Sequence, residues 1–226
     1  MIRNDGRRLR IALGMLLVSA MAFAVAGCAS GAGNSSQTTL GAGSTVVGPT
    51  ASAGSTDTPG SPSTTEAAVA VENNPPGDIP DNQAFVAYKA PGGFTVKIPE
   101  GWARVEGSAS TSFTDKLNTI ALSWAPADAA PTTQSVRETD IPALQNSVKA
   151  FELVKLSTAK LPAGAAVLVT YRANSEPNAV TGKQYRLDVL RYSLFHQGQR
   201  LDILLSSPVG ADNVDPWNTV TRSVTW

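Results

Sequence analysis

Phe94-Thr95-Val96-Lys97-Ile98 alternates apolar and polar side chains between the turn signals Pro91-Gly92-Gly93 and Pro99-Glu100-Gly101, and this period of two predicts a strand. Thr111–Phe113 and Thr119–Trp124 repeat the pattern around a turn at Asp115–Asn118. The period then changes. Ile141, Leu144, Val148 and Phe151 fall on one helical face, and Ser135-Val136-Arg137-Glu138 before them has the spacing of a capping box, so a helix is expected to start near Ser135. Pro142 either kinks that helix or opens its second half. Phe151–Leu161 and Ala165–Ala173 flank Pro162-Ala163-Gly164 and read as a hairpin, and Asn174–Gly182 reads as a polar loop.

Gln184–Phe195 and Arg200–Ser207 carry the strongest local signal. With Gln197-Gly198 as a two-residue turn, Leu194 faces Leu201, Tyr192 faces Ile203 and Leu190 faces Leu205, which gathers six apolar side chains on one side. On the other side Ser193 opposes Asp202, with Arg191 in diagonal reach of it. A last helix is capped by Asp212 or Asp215, has Pro216 near its start and buries Trp217, Val220 and Val224. Strands joined by tight turns, with amphipathic helices between and after them, predict an α+β domain. Its antiparallel β-sheet is flanked by helices in an α/β/α sandwich.

Composition divides the chain into three parts. Thirteen of the 14 aromatic residues lie in residues 83–226, which are expected to form a single globular domain. Residues 28–82 carry five acids and no Lys or Arg, and 38 of the 54 residues Ala29–Asn82 are Ala, Gly, Ser, Thr or Pro. Such a segment buries too little apolar area to offset its ordering entropy and is expected to be a disordered tether. Its 16 Ser and Thr leave two readings, an O-glycosylated stalk or a plain polar spacer.

Residues 1–27 have Arg3, Arg7, Arg8 and Arg10 against Asp5, then the uncharged run Ile11–Ala26, the layout of a signal peptide. Val25-Ala26-Gly27-Cys28 resembles a bacterial lipobox. The resemblance implies cleavage between Gly27 and Cys28 and acylation of the Cys28 thiol. Two or three acyl chains, at about 0.8 kcal/mol per buried CH₂, anchor a protein stably. The expected location is the extracytoplasmic face of the cell membrane, held there through lipidated Cys28.

Phe94-Thr95-Val96-Lys97-Ile98-Pro99-Glu100-Gly101-Trp102 resembles the opening strand and turn of the Mog1p/PsbP-like fold. With the lipobox and the tether, the chain is similar to actinobacterial lipoproteins of the LpqN type. The resemblance implies a non-catalytic binding or assembly module and brings no catalytic motif with it.

The chemistry-bearing residues are sparse. Net charge is zero and offers no footprint for nucleic acid. One Cys and one His exclude a disulfide framework, a Cys-rich zinc site and a His-based metal or catalytic constellation, so no cofactor or metal is expected. There is no Gly-x-Ser-x-Gly elbow and no P-loop. His196 falls at a hairpin turn, and Asp212-Asn213-Val214-Asp215 lacks the Gly and distal Glu of a calcium loop. Asp188, Asp202 and Glu152 read as solubilising charges rather than a catalytic pair. Two functions remain. One is a surface-tethered module that recognises a protein or an envelope component. The other is a lipid or glycolipid carrier, for which Phe94, Val96, Trp124 and Leu144 are the candidate groove lining; a filled core with one flat exposed apolar face favours the first.

Overall fold

The computed structural model of the chain describes residues 66–226. The signal segment 1–27, Gly27, Cys28 and the tether up to residue 65 lie outside the described residues. Two strands, β1 (Phe85–Lys89) and β2 (Thr95–Pro99), pair as an antiparallel ribbon around Pro91-Gly92-Gly93. The predicted strand from Phe94 is therefore half of this ribbon and no part of the main sheet. That sheet has seven antiparallel strands: β3 (Ala103–Glu106), β4 (Ser110–Asp115), β5 (Asn118–Pro126), β6 (Glu152–Leu161), β7 (Gly164–Asn174), β8 (Arg186–His196) and β9 (Gln199–Pro208), in spatial order β3-β4-β5-β9-β8-β7-β6. Connection lengths explain the order. Two-residue turns join β4 to β5, β6 to β7 and β8 to β9, whereas the helical excursion 127–151 carries the chain from the middle of the sheet to its far edge.

The β8–β9 register is the one the sequence predicts: Leu190 opposite Leu205, Tyr192 opposite Ile203, Leu194 opposite Leu201 and Ser193 opposite Asp202. Gln197 and Gly198 both have positive φ, 44° and 81°, as a two-residue hairpin turn requires. Alternation along β5 and β9 adds Ile120, Leu122 and Leu205 to this apolar face, where the β1–β2 ribbon and α3 (Val214–Arg222) cover it with Phe94, Val96, Ile98, Trp217 and Val220. On the opposite face Val136, Leu144, Val148 and Phe151 pack on Val167, Val169, Tyr171 and Val189. The sheet thus lies between helical layers, an α+β arrangement as expected, although each layer is thin and covers only part of its face.

Two helix starts differ from expectation. The capping box sits one turn earlier than predicted: the Ser135 N–H donates to Thr132 Oγ1 and the Thr132 N–H to Ser135 Oγ, each at 3.0 Å. The helical excursion then runs as α1 (Thr133–Ser135), a π-helical turn (Val136–Asp140) and α2 (Ile141–Ser147). In the wide turn the Ile141 N–H donates to the Val136 carbonyl, and Pro142, which has no N–H, sits in the first turn of α2. Neither Asp212 nor Asp215 caps α3. Asn213 occupies that position, and its side chain makes no cap bond because it is used elsewhere.

That use corrects the expected domain boundary. Residues 66–82, read as tether, lie along the end of the sheet where β5 and β8 begin and β7 and β9 end. Asn118 Nδ2 and Asn213 Nδ2 donate to the Gly77 carbonyl at 2.9 and 2.8 Å, and the Ile79 N–H donates to Asn213 Oδ1 at 2.8 Å. Pro75 and Gly77 are buried, and Ile79 enters the core. Composition misleads here because one isoleucine and a well-placed carbonyl suffice when the receiving surface supplies buried amides.

Candidate functional site

The densest polar cluster lies under the π-helical turn. Side chains at 191, 193, 200 and 202 share one face of β8 and β9, and the turn lowers Asp140 onto them. Asp202 accepts from Ser193 Oγ at 2.5 Å and from Arg191 Nη2 and Arg200 Nε at 3.0 Å each. Arg200 also reaches the Asp140 carboxylate, and Arg191 Nη1 lies 3.7 Å from it. The four charged side chains are only 13–24% exposed, so the expected surface pair Arg191–Asp202 is in fact part of a largely covered four-membered network. Burial pushes the Asp140 carboxyl upward, but its bond to Arg200 and the charges of Arg200 and Arg191 more than offset this and hold it below the usual range. Burial opposes the Arg200 charge as well, and the two aspartates raise its pKa in spite of that.

This cluster holds a helix to a sheet and is poorly suited to turnover. Ser193 is buried, donates to a carboxylate already shared by two guanidiniums, and accepts from Arg200 Nη2 at 3.0 Å. A nucleophile needs a free neighbouring base and access to substrate, and Ser193 has neither. Asp188 pairs with Arg172 at 3.0 Å and Glu152 with Arg186 at 2.8 Å, so the three carboxylates singled out from the sequence sit with separate arginines. Asp188 and Asp202 lie on opposite faces of the sheet. No cluster of metal-ligating side chains occurs among the described residues.

The candidate groove does not assemble. Phe94 and Val96 are 1% and 0% exposed, and Phe94 meets Trp124 edge-to-face with ring centroids 5.6 Å apart. Leu144 lies across the sheet, packed on the cluster that holds Val167, Val169 and Tyr171. The other aromatics fill core or rim: Trp102 packs edge-on to Trp217, and His196 stacks on Trp226 at 4.9 Å. Two open concavities lie elsewhere. One of about 650 Å³ lies between Lys97, Asp215, Asn218 and Arg222, and one of about 260 Å³ lies beside the start of α3, with a mixed lining of Thr170, Asp188 and Ser207 together with Leu190, Val214 and Trp217.

Among the described residues, half a sheet face is left open. Over β3, β4 and β5, on the side where the helical excursion packs over β6, β7 and β8, the register brings Ala103, Val105, Ser110, Ser112, Thr114, Thr119, Ala121 and Ser123 together. All are exposed or half-buried, none is charged, and Val105 is 67% exposed.

Neither a protein-family model nor a curated protein matches the chain. Among solved structures it is similar to PsbP from the cyanobacterium Synechocystis sp. PCC 6803, at 14% identity over 63% of this chain and 92% of that one, with a TM-score of 0.47. It is also similar to the Ran-binding protein Mog1p of Saccharomyces cerevisiae, at 10% identity over 64% and 96%, with a TM-score of 0.43. A third likeness is to LpqN of Mycobacterium tuberculosis, described as involved in cell envelope biogenesis, at 19% identity over 63% and 89% and a TM-score of 0.38. None of the three bears on what this chain does.

The sequence reading missed Asp140 and Arg200 in the covered network, and Asn118, Asn174 and Asn213 at the sheet end. The asparagines sit at strand or helix termini, where a turn role is the ordinary expectation. Arg200 carried a usable signal: two residues from Asp202, it shares that side chain's face.

Proposed function

We propose that this chain is a non-catalytic binding module, tethered to the outer face of the cell membrane through lipidated Cys28, that recognises a protein or envelope component with the bare face of β3, β4 and β5. The observation that carries the reading is the pairing of a filled core with an uncharged sheet face, on which five of the eight side chains are Ser or Thr, so the face is hydroxyl-rich where an apolar one was expected. Phe94, Val96 and Trp124 fill the space a carried acyl chain would need, which disfavours the lipid-carrier reading. The face carries no charge to desolvate, and its Ser and Thr hydroxyls suit a partner that offers hydrogen bonds in return, beside the exposed Val105. The lipobox and tether supply the address, and the separately paired carboxylates favour binding over turnover.

A photo-reactive residue at Ser112, compared with one at Lys155 on the far edge strand, tests the surface in cells. Adducts specific to position 112 are expected, and equal or absent labelling at the two positions rejects the face as the contact. Membrane fractionation of Cys28→Ala tests the anchor: the variant is expected to lose both normal processing and membrane retention, and a processed protein still in the pellet rejects lipidation.

A further inference from the structure

The two halves of the docked segment 66–82 are held by different physics. Residues 75–79 are fixed by burial, with Pro75, Gly77 and Ile79 enclosed. Residues 66–72 are fixed almost wholly by polar contacts, and Val71 is 53% exposed. Asn174 reads this outer part as a neighbouring strand would: its Oδ1 accepts from the Val69 N–H at 3.1 Å, and its Nδ2 donates to the Ala67 carbonyl at 2.8 Å. Asn174 Nδ2 and Gln184 Nε2 also donate to Glu66 Oε1 at 2.9 and 2.7 Å, and these bonds hold the Glu66 carboxyl below the usual range. Lys183 pairs with Glu72 at 2.5 Å.

We infer that the Asn174–Gln184–Lys183 end of the sheet is a peptide-receiving groove for extended acidic segments, occupied in cis by residues 66–72. The receiving side is prepared for backbone. Asn174 is 6% exposed, and Arg186, 5% exposed, fixes its amide by donating to Oδ1 at 3.2 Å. Departure of the segment opens that amide to solvent with Arg186 still holding its Oδ1, and the departing segment gives up little apolar burial. An element held this way opens locally while the rest of the fold stays intact. The partner that fits is an extended chain with carboxylates spaced as Glu66 and Glu72 are and small residues between them. Asn174 reads only backbone atoms there, so the intervening side chains are tolerated broadly. This inference does not depend on the bare β3–β5 face or on the lipid anchor.

The test uses a blocked, fluorescent peptide of residues 66–74 and the full chain carrying Val69→Pro, which removes the N–H that Asn174 accepts and so frees the groove. The peptide is expected to bind this variant, and to bind the unmodified chain at least about tenfold more weakly, because the tethered segment competes at a high effective concentration. Adding Gln184→Ala to Val69→Pro is expected to weaken binding by about tenfold, the usual loss for a hydrogen bond to a charged acceptor. Absence of binding to a Val69→Pro chain that still unfolds cooperatively overturns the proposal. So does binding that Gln184→Ala leaves unchanged. Where Val69→Pro itself disturbs folding, Glu66→Ala with Glu72→Ala frees the groove through side chains alone, under the same two criteria.

Discussion

Asp202 is the residue on which the covered network converges, because β8 and β9 pair in one register only. Removing its charge as Asp202→Asn leaves Arg191 and Arg200 facing Asp140 alone, with Ser193 bonded to a weaker acceptor. The expected loss lies between the 0–1 kcal/mol of exposed pairs and the 3–5 kcal/mol of buried ones, so about 2 kcal/mol by urea unfolding. Asp140 gives the network a pH signature. Its carboxyl is depressed in the folded state, so the stability it contributes is complete above the unfolded pKa of about 3.9 and is lost as pH falls through the lower folded value. Unfolding curves between pH 5 and pH 2, about that window, are expected to be flatter for Asp140→Asn than for the unmodified chain. Equal slopes would remove Asp140 from the account. Of this network only Ser193, Arg191 and Asp202 were legible in the sequence. Asp140 reaches them through a tertiary contact that no local period encodes.

Elements were legible where a single hydrophobic period and a turn acted together. In β8–β9 the alternation and the Gln197-Gly198 turn agree, and every predicted cross-strand pair forms. β3 was invisible, since all four of its residues are exposed and no apolar side marks it. The helix start was misplaced because Thr132 with Ser135 caps as well as Ser135 with Glu138 would, and sequence alone does not rank the two. The β8–β9 turn yields a prediction that depends on backbone alone. A Cβ at Gly198 meets nothing closer than 4.0 Å, yet its φ of 81° is left-handed, so Gly198→Ala is expected to cost about 1–2 kcal/mol through strain without a clash. Gly92→Ala has the opposite cause: there the new Cβ would lie 2.7 Å from the Trp124 ring, and the ring must move. A changed near-ultraviolet circular dichroism spectrum for Gly92→Ala, with little change for Gly198→Ala, separates the two mechanisms.

For the whole molecule, the position at which the domain begins matters most, because composition and contacts place it differently. Aromatic content puts the start at residue 83, whereas the buried amides of Asn118 and Asn213 claim Gly77 and Ile79. A chain begun at residue 83 loses the burial of Ile79, about 1.5–3 kcal/mol. It also loses the three hydrogen bonds that Asn118 and Asn213 make to Gly77 and Ile79, at about 1 kcal/mol apiece. Against a total stability of about 5–15 kcal/mol for a domain, that sum brings the shortened chain close to unfolding. A chain begun at residue 75 keeps Pro75, Gly77 and Ile79 in place and loses only the polar contacts of residues 66–72, so it is expected to fall by no more than about 1–2 kcal/mol. Urea unfolding of chains begun at 66, 75 and 83 measures the sequence of losses. The expected result is a small step between the first two and a large one between the last two, with the shortest chain showing a broadened or absent transition. Equal stability of all three would mean that the domain ends where its aromatic residues do, and that the contacts of residues 66–82 add nothing to the fold.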